Sequence, residues 1–291
     1  MADIPRRKLD EIAFIYERHP ERRDFYVEGP FDASILRWLF KQNGIESVAV
    51  YEIGTIEVSD GEVLASNLKD NNRGRLIFLS SWLSTNIGLD SRQGTCFVDA
   101  DFSYILNDFD RHPCLVFTDF ACMEMYFYDP VIIEKVLTVC CDRCYWPVPE
   151  IIDTLAKTLA EFFLLRMANE ILGWHMDWLD RMVCLEVDGY AIRFESNEYT
   201  ARYLSKNAKR SKQQSFEQKV MELRELLRAD ARYQIHGHDF SKLFAWYLRQ
   251  KGIRADACKS DVLHKTLALA ADFETLRKHN AISLLLARAD S

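Results

Sequence analysis

In the first half of the chain, short apolar runs alternate with stretches whose apolar residues recur every three to four positions, the pattern of parallel α/β units. Phe25-Tyr26-Val27 reads as a buried strand ending at Glu28-Gly29-Pro30. Asp32 then precedes Ile35, Leu36, Leu39 and Phe40, apolar at helical spacing, and Gly44 stops that helix. Val48 to Ile53 reads as a second strand, Leu76 to Leu83 as a helix, and Thr95 to Val98 as a third strand that delivers Asp99-Ala100-Asp101. Leu115-Val116-Phe117 is the fourth strand, followed by Thr118 and a short helical stretch, Met123 to Tyr128, closed by Asp129-Pro130.

From Pro147 the alternation stops and the pattern turns mainly helical. Pro147-Val148-Pro149 suits the start of a long helix from Ile151 towards Leu172, ending near Gly173. A β-hairpin follows, with Cys184 to Val187 and Ala191 to Phe194 flanking Asp188-Gly189, a favoured tight-turn pair. Ser215 with Gln218 reads as a capping box ahead of Val220, Leu223, Leu226 and Leu227. Asp239 is placed to cap a helix to Lys251 that Gly252 ends, and the segment from Asp261 is helical again. These patterns predict an α/β domain over residues 1–146 and a mainly helical domain over 147–291, the latter suited to assembly and to substrate or partner contact.

Composition narrows the class. The chain has 291 residues, 48% apolar and 28% charged, with only 11 Gly and 7 Pro, which excludes disordered, fibrous and solenoid classes. Residues 1–9 are polar, carry Arg6, Arg7 and Lys8, and lead into no signal-like apolar stretch, so a cytoplasmic protein is expected. The greasy region Ile151 to Trp178 is broken by Asp153, Lys157, Glu161, Arg166 and Glu170, so no membrane span is expected. Phe162, Phe163, Trp174 and Trp178 in it read as core of the second domain. Eight cysteines read as reduced thiols, several buried as small hydrophobes; Cys141-x-x-Cys144, beside Cys140, lacks the second pair a zinc site needs. The formal charge of −7 argues against a broadly basic surface.

The informative feature is where carboxylates sit relative to strand ends. In an open α/β sheet the crevice at the carboxyl ends of the strands holds the ligand, and Glu28, Asp99 and Asp101 all fall at such ends. Asp99 and Asp101 are two apart, so on an extended chain they share a face and present oxygens to a hard cation, Mg²⁺ or Mn²⁺. Asp32 lies four residues after Glu28 and would stack on it if the helix began that early; Glu124 is a further candidate. Acids converging on one pocket repel one another unless a cation fills it.

Phe-Tyr-Val-Glu-Gly-x-x-Asp at 25–32, Phe-Val-Asp-Ala-Asp-Phe at 97–102 and Thr118 with Met123-Glu124 together resemble the TOPRIM (topoisomerase–primase) family. Within it, the resemblance is to small TOPRIM-like proteins related to overcoming-lysogenization-defect nucleases, and it covers residues 20–130. It implies a Rossmann-like, mainly parallel sheet and a divalent-metal-dependent nuclease in which Glu28, Asp99 and Asp101 bind metal and cut phosphodiesters. Asp32 and Glu124 match positions that complete a second metal site. Relatives of this shape serve bacterial anti-phage defence, including the TOPRIM subunit of phage anti-restriction-induced systems, which an ABC-type ATPase holds and which acts on tRNA once released. No Gly-x-x-x-x-Gly-Lys loop occurs here, so such an ATPase would be a separate partner chain. A homodimer through the helical part, and tRNA or DNA as substrate, belong to the same expectation.

Lys206, Lys209, Arg210 and Lys212 form a basic run that would either contact substrate phosphates or form a solvated loop. His236-Gly237-His238-Asp239 reads as a turn into a capped helix. Two other classes compete with the nuclease. Asp99-Ala100-Asp101-Phe102-Ser103 has the look of a haloacid-dehalogenase-type phosphatase motif, which would leave Glu28 without a role, and a non-catalytic regulatory or docking pocket would cut nothing.

Overall fold

The computed structural model describes residues 6–88, 92–179, 182–254 and 259–290. Residues 1–5 of the polar N-terminal stretch thus lie outside the described part. In chain order the elements are β1 (Arg7–Lys8), α1 (Leu9–Arg18), β2 (Arg23–Val27), α2 (Pro30–Gln42), β3 (Val48–Glu52), β4 (Ile56–Glu57), α3 (Asp60–Ala65), α4 (Asn72–Asn86), β5 (Gly94–Val98), α5 (Ser103–Leu106), β6 (Leu115–Phe117), α6 (Pro130–Val139), α7 (Val148–Ile171), β7 (Leu185–Asp188), β8 (Ala191–Phe194), α8 (Ser196–Lys206), α9 (Gln213–Arg224), α10 (Gly237–Gln250), α11 (Ser260–Ala270), α12 (Phe273–Leu276) and α13 (Asn280–Asp290).

These elements group into two compact units, one of Met1–Ala100, Phe109–Asp119 and Asp272–Ser291, the other of Asp101–Asp108 and Phe120–Ala271. The change of pattern near residue 146 lies inside the second unit. Among the described residues no helix is long and apolar enough to cross a membrane.

The first unit is built on a parallel sheet in the order β3-β2-β5-β6. Every residue of β5 is buried, as expected of a parallel strand covered on both faces. Tyr26, Cys96 and Val98 face one side, where Ile12 and Tyr16 of α1 and Leu76, Leu79 and Leu83 of α4 complete a core. The opposite residues meet other helices: the rings of Phe25 and Phe40 of α2 are 4.6 Å apart, and Arg288 of α13 reaches Thr95 Oγ1 at 3.3 Å. Crossovers from β2 run outward to β3 on one side, while the chain returns to β5 on the other. The switch point of the sheet therefore lies between the carboxyl ends of β2 and β5.

The second unit is organised by α7, whose buried face includes Ile151, Leu155, Leu159, Phe162 and Phe163. Phe162 packs edge-on against Trp178 at 5.8 Å and Phe194 at 5.2 Å, so the aromatic residues expected in a core are largely there. Asp239 of α10, 1% exposed, takes both Arg166 Nε (2.5 Å) and Nη2 (2.8 Å) from α7.

Several expectations are corrected in detail. Asp239 does not cap α10; the cap position is His236, and Asp239 sits inside the first turn, bound to Arg166. Ser215 starts no helix, because the 3-10 turn Arg210–Lys212 runs straight into α9 and Ser215 Oγ donates to the Lys212 carbonyl at 3.0 Å. That helix stops at Arg224, leaving Leu226 50% exposed. In the hairpin Asp188 pairs with Ala191, so the turn residues are Gly189 and Tyr190, with Gly189 (φ +58°) taking the positive-φ position. Asp129-Pro130 closes one short 3-10 stretch, Met123–Phe127, but also opens α6: Asp129 Oδ1 accepts the Val131 amide at 2.8 Å and Pro130 occupies the first turn.

Candidate functional site

At the switch point, Glu28 follows the last residue of β2 and Asp99 the last of β5. The structure brings these two together: the Asp99 backbone amide donates to Glu28 Oε1 at 3.1 Å. Both residues are partly exposed at the rim, whereas Val27 and Val98 beneath them are buried. The first turn of α4 supports the same edge. Asn72 Nδ2 donates to the Glu28 carbonyl at 2.9 Å, and Arg73 Nε donates to the Asp99 carbonyl at 3.2 Å. That turn is shaped by the Asn71 cap, whose Oδ1 accepts the Gly74 amide at 2.8 Å, and by Gly74 itself. A Cβ on Gly74 would lie 2.0 Å from the Lys69 carbonyl oxygen, so only glycine fits. On the other side of β5, Thr118 is fully buried, its amide donating to the Val98 carbonyl (3.0 Å) and its Oγ1 accepting the Ala100 amide (3.0 Å).

Asp32 lies in the first turn of α2, but the helix begins at Pro30 with Gly29 as its cap, so Glu28 is outside it. The stacking of Glu28 and Asp32 on one helical face therefore does not arise. The shared face of Asp99 and Asp101 is corrected as well. The chain is not extended there: Asp101 has φ +48°, a left-handed conformation that Asp tolerates better than most residues, and its amide donates to the Ala121 carbonyl at 2.7 Å.

Asp101 and Glu124 belong to the second unit and lie there near the start of α10. Glu124, in the 3-10 stretch Met123–Phe127, presses its carboxylate on Gly237, where a Cβ would sit 2.1 Å from Oε2. His236, the cap residue beside it, has a buried Nδ1 without a hydrogen-bond partner among the described residues. Burial holds its pKa below the ordinary value and Arg166 adds to that lowering, while Asp239 and Asp101 pull the other way.

All five acids offer hard carboxylate oxygens, the donor type that suits Mg²⁺ or Mn²⁺. Among the described residues, however, no three His, Cys, Asp or Glu side chains stand close enough to make a ready cation cage. Cys141 is buried, while Cys140 and Cys144 are exposed, and no disulfide forms among the described cysteines. In the basic run, Lys206 Nζ donates to the Trp178 carbonyl at 2.6 Å, and Lys209 and Lys212 lean over the Trp174 ring. Arg210 is exposed. Compared with known proteins, the chain matches no family model and no curated protein sequence.

Sequence reasoning missed Asn72 and Arg73, because it began the helix at Leu76, where the apolar periodicity starts. The polar Asn71-Asn72-Arg73-Gly74 entry was the available signal. It also passed over the Arg166–Asp239 pair, whose partners are 73 positions apart.

Proposed function

We propose that the chain is a divalent-cation-dependent nuclease that hydrolyses nucleic-acid phosphodiesters, with Glu28 and Asp99 at its centre. The observation that carries this reading is the hydrogen bond of 3.1 Å between the Asp99 amide and Glu28 Oε1, made at the switch point of the sheet. Mg²⁺ or Mn²⁺ held by carboxylates there would activate water and neutralise phosphate charge.

The chain's own residues supply the rest. The Asp99 amide orients the Glu28 carboxylate, which serves as cation ligand or as the base that takes a proton from the attacking water. Asn72 and Arg73 fix the backbone of both strand ends, and Arg73 brings positive charge to the Asp99 side, where it offsets charge gathering on the non-bridging oxygens. Asp32, Asp101 and Glu124 keep, in this reading, the ligand roles that the TOPRIM resemblance gives them. A tRNA or DNA substrate, a defence role and restraint by a separate ABC-type ATPase complete the proposal.

The test incubates the purified chain with plasmid, single-stranded DNA and total tRNA, with Mn²⁺ or with chelator. Cleavage is expected only with the cation. Asp99→Asn and Glu28→Gln should each lose it by at least about a hundredfold, the upper end of what loss of a mere outer-shell partner of a metal ligand costs, with thermal unfolding little changed. Identical behaviour of wild type and Asp99→Asn on every substrate would sink the reading. Full activity of Glu28→Ala on a small phosphomonoester would replace it with the phosphatase.

A further inference from the structure

The basic run between α8 and α9 is folded as a tight, well-bonded turn. The Lys209 amide donates to the Leu204 carbonyl at 2.8 Å and the Lys212 amide to the Lys209 carbonyl at 2.9 Å. Ala208 holds φ +54°, a left-handed conformation unfavourable for alanine, so the turn keeps its shape against local strain. Two ammonium groups are brought to one indole by this shape: Lys209 Nζ lies 5.7 Å and Lys212 Nζ 5.5 Å from the centroid of the Trp174 ring. Trp174 is itself stacked on Phe216, which is fully buried, with ring centroids 5.6 Å apart. The platform beneath the two lysines is thus anchored in the core of the second unit.

Like charges converging on one ring repel each other, and cation–π attraction at an exposed site offsets only about 0.5–1 kcal/mol per contact. Carboxylates neutralise many cations elsewhere in this chain: Arg22 pairs with Asp24, Arg166 with Asp239, Arg224 with Glu161 and Arg232 with Asp230. Lys209, Arg210 and Lys212 form no ion pair among the described residues. Their charge is left for anions outside the chain to balance, and three cations within four consecutive residues match a line of charge better than a single ion.

We propose that Lys209, Arg210 and Lys212, presented on Trp174, form a contact surface for the phosphate backbone of single-stranded nucleic acid. The choice of partner rests on the nuclease reading; the surface itself does not. In a chain of net charge −7, a local cluster of cations gives a polyanion a favourable approach that the chain's overall charge does not.

The test measures binding of fluorescein-labelled single-stranded RNA and DNA of about 20 nucleotides by anisotropy, in chelator so that nothing is cut, over a salt series. Each backbone contact on a single strand contributes about −0.7 to the slope of log affinity against log salt. Lys209→Ala with Lys212→Ala should therefore flatten the slope by about 1.4 and make the variant lose about sevenfold less affinity than wild type between 50 and 200 mM salt. Unchanged circular dichroism and thermal unfolding confirm that the variant is folded. Equal slopes for wild type and variant, or no binding of either oligonucleotide by the wild type, overturn the surface. Binding with the expected slopes but no cleavage under Mn²⁺ leaves it standing while the nuclease reading fails.

Discussion

His236 holds the cap position of α10 with a buried Nδ1 that has no hydrogen-bond partner among the described residues, and burial keeps its ring neutral below the pH at which a free imidazole takes up a proton. The sign of its effect on stability follows. Below the ordinary histidine pKa of about 6.5 the unfolded chain binds a proton that the folded chain refuses, so stability falls as pH drops from there towards the lowered folded value. Above 6.5 the group contributes no slope. Urea unfolding in chelator at pH 7.5 and 5.5 should show a larger loss for wild type than for His236→Gln; equal losses would mean the ring is not held neutral. At this same scale the placement of Glu28 and Asp99 just past two strand ends was legible in the sequence, because strand ends can be read from where an apolar run stops. The φ of +48° at Asp101 was not, since a side-chain pattern carries no record of the backbone turn that breaks the alternation.

Between elements, a buried two-nitrogen ion pair within the second unit joins α7 to α10. Asp239 is 1% exposed and held through two guanidinium nitrogens of Arg166, which also lies 4.1 Å over the centroid of Trp178. Replacing Arg166 alone strands a buried carboxylate, so Arg166→Met should cost about 3–5 kcal/mol, while Arg166→Met combined with Asp239→Leu should cost clearly less. Urea midpoints of the two single variants and the double measure this, and a double variant weaker than Arg166→Met would refute it. The elements legible in the sequence were those with a long period or an interrupted strand: α2, α7 and the strands β2, β3, β5 and β6 stand where their apolar residues put them. The misreadings came from polar punctuation that serves two purposes. Asp129-Pro130 ends one turn and starts α6, and Asp188-Gly189 contains only one of the two residues that turn the hairpin.

At the scale of the whole molecule, the chain leaves the first unit after Ala100, rejoins it from Phe109 to Asp119, and rejoins it again from Asp272. Periodicity runs along the chain and can mark a change of character near residue 146, but a return of the last helix to the first unit leaves no local trace. That return is specific. Arg288 Nη2 donates to the Pro113 carbonyl at 2.8 Å and the Ala281 amide to Asp119 Oδ2 at 2.9 Å, while Ile282, Leu285 and Leu286 of α13 are buried. Burying such side chains contributes about 1.5–3 kcal/mol each, a large share of the 5–15 kcal/mol that holds a typical domain together. Cys96 and Cys114, in the first unit, are 0% and 1% exposed and so report whether it stays closed. Removing residues 272–291 should therefore make both thiols react with a thiol-specific reagent at rates close to those in denaturant, although neither lies in the deleted segment. Mass mapping of the labelled peptides separates them from the exposed Cys140 and Cys144, which should react at once with or without the deletion. Slow labelling of Cys96 and Cys114 in the truncated chain, at the wild-type rate, would mean that the sheet is stable without its C-terminal helix.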